Sequence, residues 1–90
     1  MLKFALGKIL ATPGAVDALR EAKQAAQTLL RRHVTGDWGD LSEEDKAENE
    51  FSVDKELRIL SAYTLPTGVK LWLITEADRS ATTLLLPSEY

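Results

Sequence analysis

Seven of the chain's fourteen acidic residues fall between Asp37 and Glu50. Carboxylate oxygens suit hard cations, so metal binding is the first chemistry this segment suggests. Asp37 and Glu48 have the outer spacing of an EF-hand loop, but Gly39 and Leu41 stand where its inner ligands belong. The calcium reading therefore fails. Two others remain. An acidic face can mimic the charge density of a phosphate backbone and occupy a nucleic-acid site on another protein. Alternatively, the segment is a solvated helix whose acidic first turn suits the positive end of its dipole.

His33, Asp37 and Asp40, joined by Glu76 and Asp78 from a hairpin turn, form the best hydrolytic or metal-dependent constellation in the chain. Such chemistry needs a base within hydrogen-bond reach of its proton and neighbours that tune its pKa. A lone histidine at a helix end also serves by packing there or by bonding the terminal carbonyls. The chain contains no GxSxG, HExxH or P-loop motif. No cofactor is expected. Trp38, between turn residues, is either an exposed anchor for a partner or a plug between helix and sheet. Arg79 is either a planar fork for an anionic group or half of a surface ion pair with Asp78.

These residues need elements to hold them. Leu2, Phe4 and Leu6 alternate with Lys3 and Ala5, and the stretch runs on through Ile9 and Leu10, which predicts a strand with a bulge at Gly7. Thr12-Pro13 supplies a cap and a first-turn proline. Val16, Leu19, Ala22, Ala26, Leu29, Leu30 and His33 recur at helical spacing; a break near Lys23-Gln24 is the alternative, but no strong breaker stands there, which favours one helix from about Pro13 to His33, with Gly36 as its stop. Thr35 to Ser42 reads as a loop. A second helix follows, capped by Asp40 with Glu43 or by Ser42 with Asp45, and buries Ala47 and Phe51. Leu57–Tyr63, Val69–Thr75 and Ala81–Leu86 read as three strands joined by turns, in which Tyr63 and Trp72 share a hairpin. The predicted fold is α+β: a four-stranded antiparallel sheet with two helices on one face, in the order β-α-α-β-β-β.

Composition agrees with a single domain over residues 1–90, because the hydrophobic share of 44% and charged share of 28% are ordinary for a globular chain. With no cysteine there is no disulfide framework and no thiolate chemistry, which fits a reducing, cytoplasmic setting. The longest apolar run, Leu84 to Pro87, is far too short to span a bilayer, and Met1 to Ala11 lacks the apolar core of a signal peptide. A net charge of −3 predicts no general attraction to nucleic acid.

The residues His33-Val34-Thr35-Gly36-Asp37-Trp38-Gly39-Asp40, the segment Glu44-Asp45-Lys46 with Asn49, and the run Leu60-Ser61-Ala62-Tyr63 make a recognisable pattern together with the tail. In that tail, Trp72-Leu73-Ile74-Thr75-Glu76-Ala77-Asp78-Arg79-Ser80 precedes Thr82-Thr83-Leu84-Leu85-Leu86-Pro87-Ser88-Glu89-Tyr90. Over roughly its whole length, and most strongly after His33, the chain resembles a family of short bacterial proteins from plasmids, integrative elements and prophages. Some members carry a restriction-modification subunit label, yet no methyltransferase fingerprint is present here. The resemblance implies a mobile-element context, in which opposing host restriction or CRISPR defences is a common task.

The resulting expectation is a noncatalytic protein-binding accessory protein. Its partner is a host or element-encoded protein, or a protein–nucleic acid complex, engaged through Asp37, Trp38, Asp40, Glu43, Glu44 and Arg79. The alternatives are a small hydrolase or nuclease using the His33 constellation, and a structural homo-oligomer that pairs through an exposed sheet edge or uncovered sheet face.

Overall fold

The strands from Ile59 onward keep one parity wholly buried, although Ala62, Ile74 and Leu85 on the other parity are covered as well. In the computed structural model, which describes residues 1–90, β2 (Ile59–Thr64), β3 (Lys70–Thr75) and β4 (Ala81–Leu85) form an antiparallel meander. Ile59, Ser61, Tyr63, Leu71, Leu73, Thr75, Thr82 and Leu84 take the inward parity and are all buried. Tyr63, Leu71, Leu73 and Leu84 meet Ala15, Ala18, Leu19 and Leu29 from two helices, and this contact is the main hydrophobic core.

The sheet is mixed. Its order is β1-β4-β3-β2, with β1 (Lys8–Ala11) running parallel to β4. This corrects the expected all-antiparallel arrangement. A tight hairpin forces its two strands to oppose each other, but β1 leads into helices, and a long crossover lets a strand lie parallel to its neighbour. β1 is also shorter than its alternation suggests. At Gly7, with φ +65°, an added Cβ would collide with the backbone of Arg79 and Ser80, and the residues before it leave the sheet. The Lys3 amide donates to Val34 O, and Phe4 turns toward His33 and Trp38 instead of pairing in a ladder.

The expected single long helix is two: α1 (Pro13–Ala22) and α2 (Ala26–Val34). Lys23 takes a left-handed conformation at φ 54°, and the Lys23 and Gln24 amides bond back to Arg20 O and Leu19 O. No glycine or proline marks this break. A straight helix of that span would measure about 31 Å, whereas a four-stranded sheet is only about 15–20 Å wide. Bending lets Leu19 and Leu29 both reach the sheet.

The third helix, α3 (Glu43–Lys55), is capped by Ser42, whose Oγ accepts from the Asp45 amide at 3.1 Å. It does not bury Ala47 and Phe51 as expected; both are exposed, Phe51 by 57%. Its buried residues are Asn49 and Ser52. α3 docks by polar groups along the outer edge of β2, which is why its sequence shows no apolar stripe. The fold is therefore α+β, with a mixed four-stranded sheet and three helices. None of them is long and apolar enough to cross a membrane.

Candidate functional site

A fully buried histidine lies between α2 and the sheet. His33 Nδ1 is 2.6 Å from Ser61 Oγ, and its Nε2 is 2.8 Å from Thr75 Oγ1. Thr75 Oγ1 lies 2.7 Å from Thr82 Oγ1, which donates to Leu6 O. Each hydroxyl has one proton, so the chain of bonds runs in a single direction. Thr82 is committed to Leu6, Thr75 must donate to Thr82, and His33 must donate from Nε2 to Thr75. Ser61 then donates to Nδ1. The ring is a neutral Nε2–H tautomer, flanked edge-on by Phe4 and Trp38. Burial pushes its pKa down to about 4.

The loop after α2 is fastened to the sheet edge. Trp38 O accepts from the Ala62 amide at 3.2 Å, and the Asp40 amide donates to Ala62 O at 2.7 Å. Gly39 bridges to Ala62 at φ +77°, where a Cβ would run into the Ala62 carbonyl. Trp38 is only 3% exposed, stacks on Phe4, and donates from Nε1 to Glu50 at 2.8 Å. Of the two readings of Trp38, the plug is therefore the observed one, and the exposed anchor is corrected.

The carboxylates of the loop are engaged locally. Asp37 meets Arg32 at 2.6 Å, and this bond holds its carboxyl below the usual range. Arg32 lies over the Tyr63 ring, whose hydroxyl donates to Asp37 O. Asp40 accepts from Thr64 at 2.7 Å and has Lys70 at 3.6 Å; the Thr64 bond is the main reason its carboxyl is lowered. Glu43 pairs with Lys46 at 3.4 Å on the open helix surface, and Glu44 beside it has no ion-pair partner. Arg79 does not pair with Asp78. Its Nη1 donates to the carbonyls of Leu57, Glu76 and Ala77, and its Nη2 donates to Ser52 O. It is a staple between the end of α3 and the β3–β4 turn.

The hydrolytic constellation does not assemble. His33 gives both ring nitrogens to hydroxyls, Glu76 pairs with Arg58, and Asp78 accepts from the Ser80 amide. No group of three or more histidine or carboxylate side chains is gathered as a metal site.

What the acidic segment does form is one wall of a groove of about 370 Å³. Asp45, Glu48, Asn49 and Ser52 line it from α3, with Leu41 at the loop, while Leu60 and Trp72 line it from the sheet and Arg58 from the residue before β2. The register places Trp72 opposite Ala62 and Tyr63 opposite Leu71, so Tyr63 and Trp72 lie on opposite faces. Trp72 meets Tyr90 edge-on at 5.7 Å. Arg58 is drawn toward Glu76 and the Tyr90 hydroxyl. Asp45 and Glu48 have no ion-pair partner, and the one cation of the groove, Arg58, is held by Glu76, which leaves two unpaired carboxylates in a groove that also holds an indole. They were within reach of sequence reasoning, since a three-residue spacing puts them on one helix face. Trp72 was not, because only the pairing of β3 with β2 brings it to the groove that α3 walls. No protein-family profile, curated protein or solved structure matches the chain.

Proposed function

We propose that the chain is a noncatalytic protein-binding accessory protein of a mobile element, and that it engages a basic segment of its partner through the α3 groove. The observation that carries this reading is the groove itself, where Asp45 and Glu48 stand unpaired and Trp72 is a lining residue. A guanidinium or ammonium group fits such a site, because an indole face and two carboxylates attract the same cation. Glu44, adjacent to Asp45 and one turn before Glu48, extends the negative field toward the approaching partner.

Inhibition of a restriction or CRISPR complex is the sharpest form of this function. The family resemblance supports it, and so does the charge, since proteins that grip nucleic acid present basic grooves to an acidic mimic. The test is protection of a phage or plasmid in a restricting host, with the triple variant Glu44→Lys, Asp45→Lys and Glu48→Lys against the parent. Protection by the parent that the folded variant loses supports the reading; equal protection by both removes the groove from it.

A further inference from the structure

The two edges of the sheet are treated differently. On β2, Asn49 and the Trp38–Asp40 loop occupy the outward backbone groups of Leu60 and Ala62. On β1 nothing does. The Lys8 and Thr12 amides point inward to Ser80 O and Leu84 O. Alternation therefore turns the N–H and C=O groups of Ile9 and Ala11 outward. All four residues of β1 are exposed, and Ile9 (45%), Leu10 (45%) and Val16 (40%) gather three large apolar side chains around this edge.

We infer that β1 pairs antiparallel with β1 of a second copy, about a two-fold axis at Leu10. The choice of register follows from the residues. Centring the pair on Ile9 would set Ala11 against Gly7, whose φ of +65° takes it out of the strand. Centring it on Ala11 would set Ile9 against Pro13, which has no amide proton. Only the Leu10 centre matches each Ile9 with an Ala11 and uses all four outward donors and all four acceptors.

The side chains agree with this register. Leu10 meets Leu10 as a close, non-hydrogen-bonded pair. Ile9 lies against Ala11 of the other copy, at the apolar end, formed by Ala11, Val16 and Leu19, of a shallow groove of about 500 Å³ that Arg20 and Lys23 also line. Lys8 stands opposite Thr12, whose hydroxyl is bonded to Glu89. Neither Lys8 nor Glu89 has an ion-pair partner within one chain, and the two-fold brings them together twice. The product is a continuous eight-stranded sheet.

A four-residue edge makes a small interface, so the dimer is weak and depends on concentration. Sedimentation velocity from about 10 μM to about 1 mM should show the mass rising toward twice that of the chain. Leu10→Cys tests the register directly, because the chain has no other cysteine. Close non-hydrogen-bonded pairs have Cα atoms about 4.5 Å apart, within disulfide range. Ile9 is two residues from its own symmetry mate, about 8 Å away, and beyond that range. Mild oxidation should therefore link Leu10→Cys and leave Ile9→Cys unlinked. A monomer throughout the range, or cross-linking of Ile9→Cys as fast as Leu10→Cys, would overturn the inference.

Discussion

The Asn49 side chain bonds both backbone groups of Leu60: its Nδ2 donates to Leu60 O at 2.7 Å, and the Leu60 amide donates to its Oδ1 at 3.2 Å. A helix thus supplies, through one amide, the two bonds that a further strand would make. Asn49→Ala leaves both groups of Leu60 unpaired at a partly buried edge, which costs about 2–4 kcal/mol. The unprotected edge should also raise the tendency to aggregate. Urea denaturation with light scattering checks both outcomes, and Phe51→Ser, on the exposed side of the same helix, should change stability by less than about 0.5 kcal/mol.

Gly39→Ala should be among the most damaging small substitutions. It adds a Cβ at φ +77° and drives it into the Ala62 carbonyl, so the bridge to β2 must open. A loss of about 2–4 kcal/mol is expected from denaturant unfolding, with increased exposure of the Trp38 indole visible in its fluorescence.

Acid should weaken the protein before its carboxylates titrate. The folded pKa of His33, about 4, lies below its ordinary value of 6.5. The unfolded chain therefore takes up the proton first as pH falls. This contribution is fully present above pH 6.5, lost progressively from there down to about pH 4, and constant below. It amounts to about 3 kcal/mol, a large share of the roughly 5–13 kcal/mol expected for a chain this size. Equilibrium unfolding at pH 7 and pH 4.5 checks the sign, and imidazole nitrogen shifts at pH 7 should report the Nε2–H tautomer.

The acidic residues should separate into two groups. Glu44, Asp45 and Glu48 are exposed and without ion-pair partners, so reversing them to Lys should abolish partner binding while costing only about 1–2 kcal/mol of stability, through the lost match of Glu44 and Asp45 to the dipole of α3. Asp37→Ala instead removes the carboxylate that holds Arg32 and accepts from the Gly39 amide. It should loosen the loop, lower stability and weaken partner binding only indirectly. Thermal unfolding beside a binding assay distinguishes the two groups.

The parity of the strands was legible from Ile59 to Leu85, because alternating residues on a half-buried sheet must choose a face. The same parity would have placed Ser61, Thr75 and Thr82 inside with Leu73 and Leu84, and so revealed a buried polar site awaiting a partner such as His33. Other features were hidden for physical reasons. The Lys23 break has no local signal, since it comes from fitting two helices to a narrow sheet. The polar docking of α3 defeats any search for an apolar face. The direction of β1 depends on where a long connection brings the chain back, which no window of residues contains. Arg79 and Trp38 looked like surface readers because their carbonyl and ring partners lie far away in sequence.

Titration of the nitrogen-15-labelled protein with a hexa-arginine peptide tests the central claim most directly. Saturable shifts confined to Asp45, Glu48, Leu60 and the Trp72 indole N–H are expected, with the Trp38 indole unmoved, and they should vanish in the Glu44/Asp45/Glu48 charge-reversal variant. Shifts spread evenly over all exposed carboxylates, or none at the Trp72 indole, would contradict it.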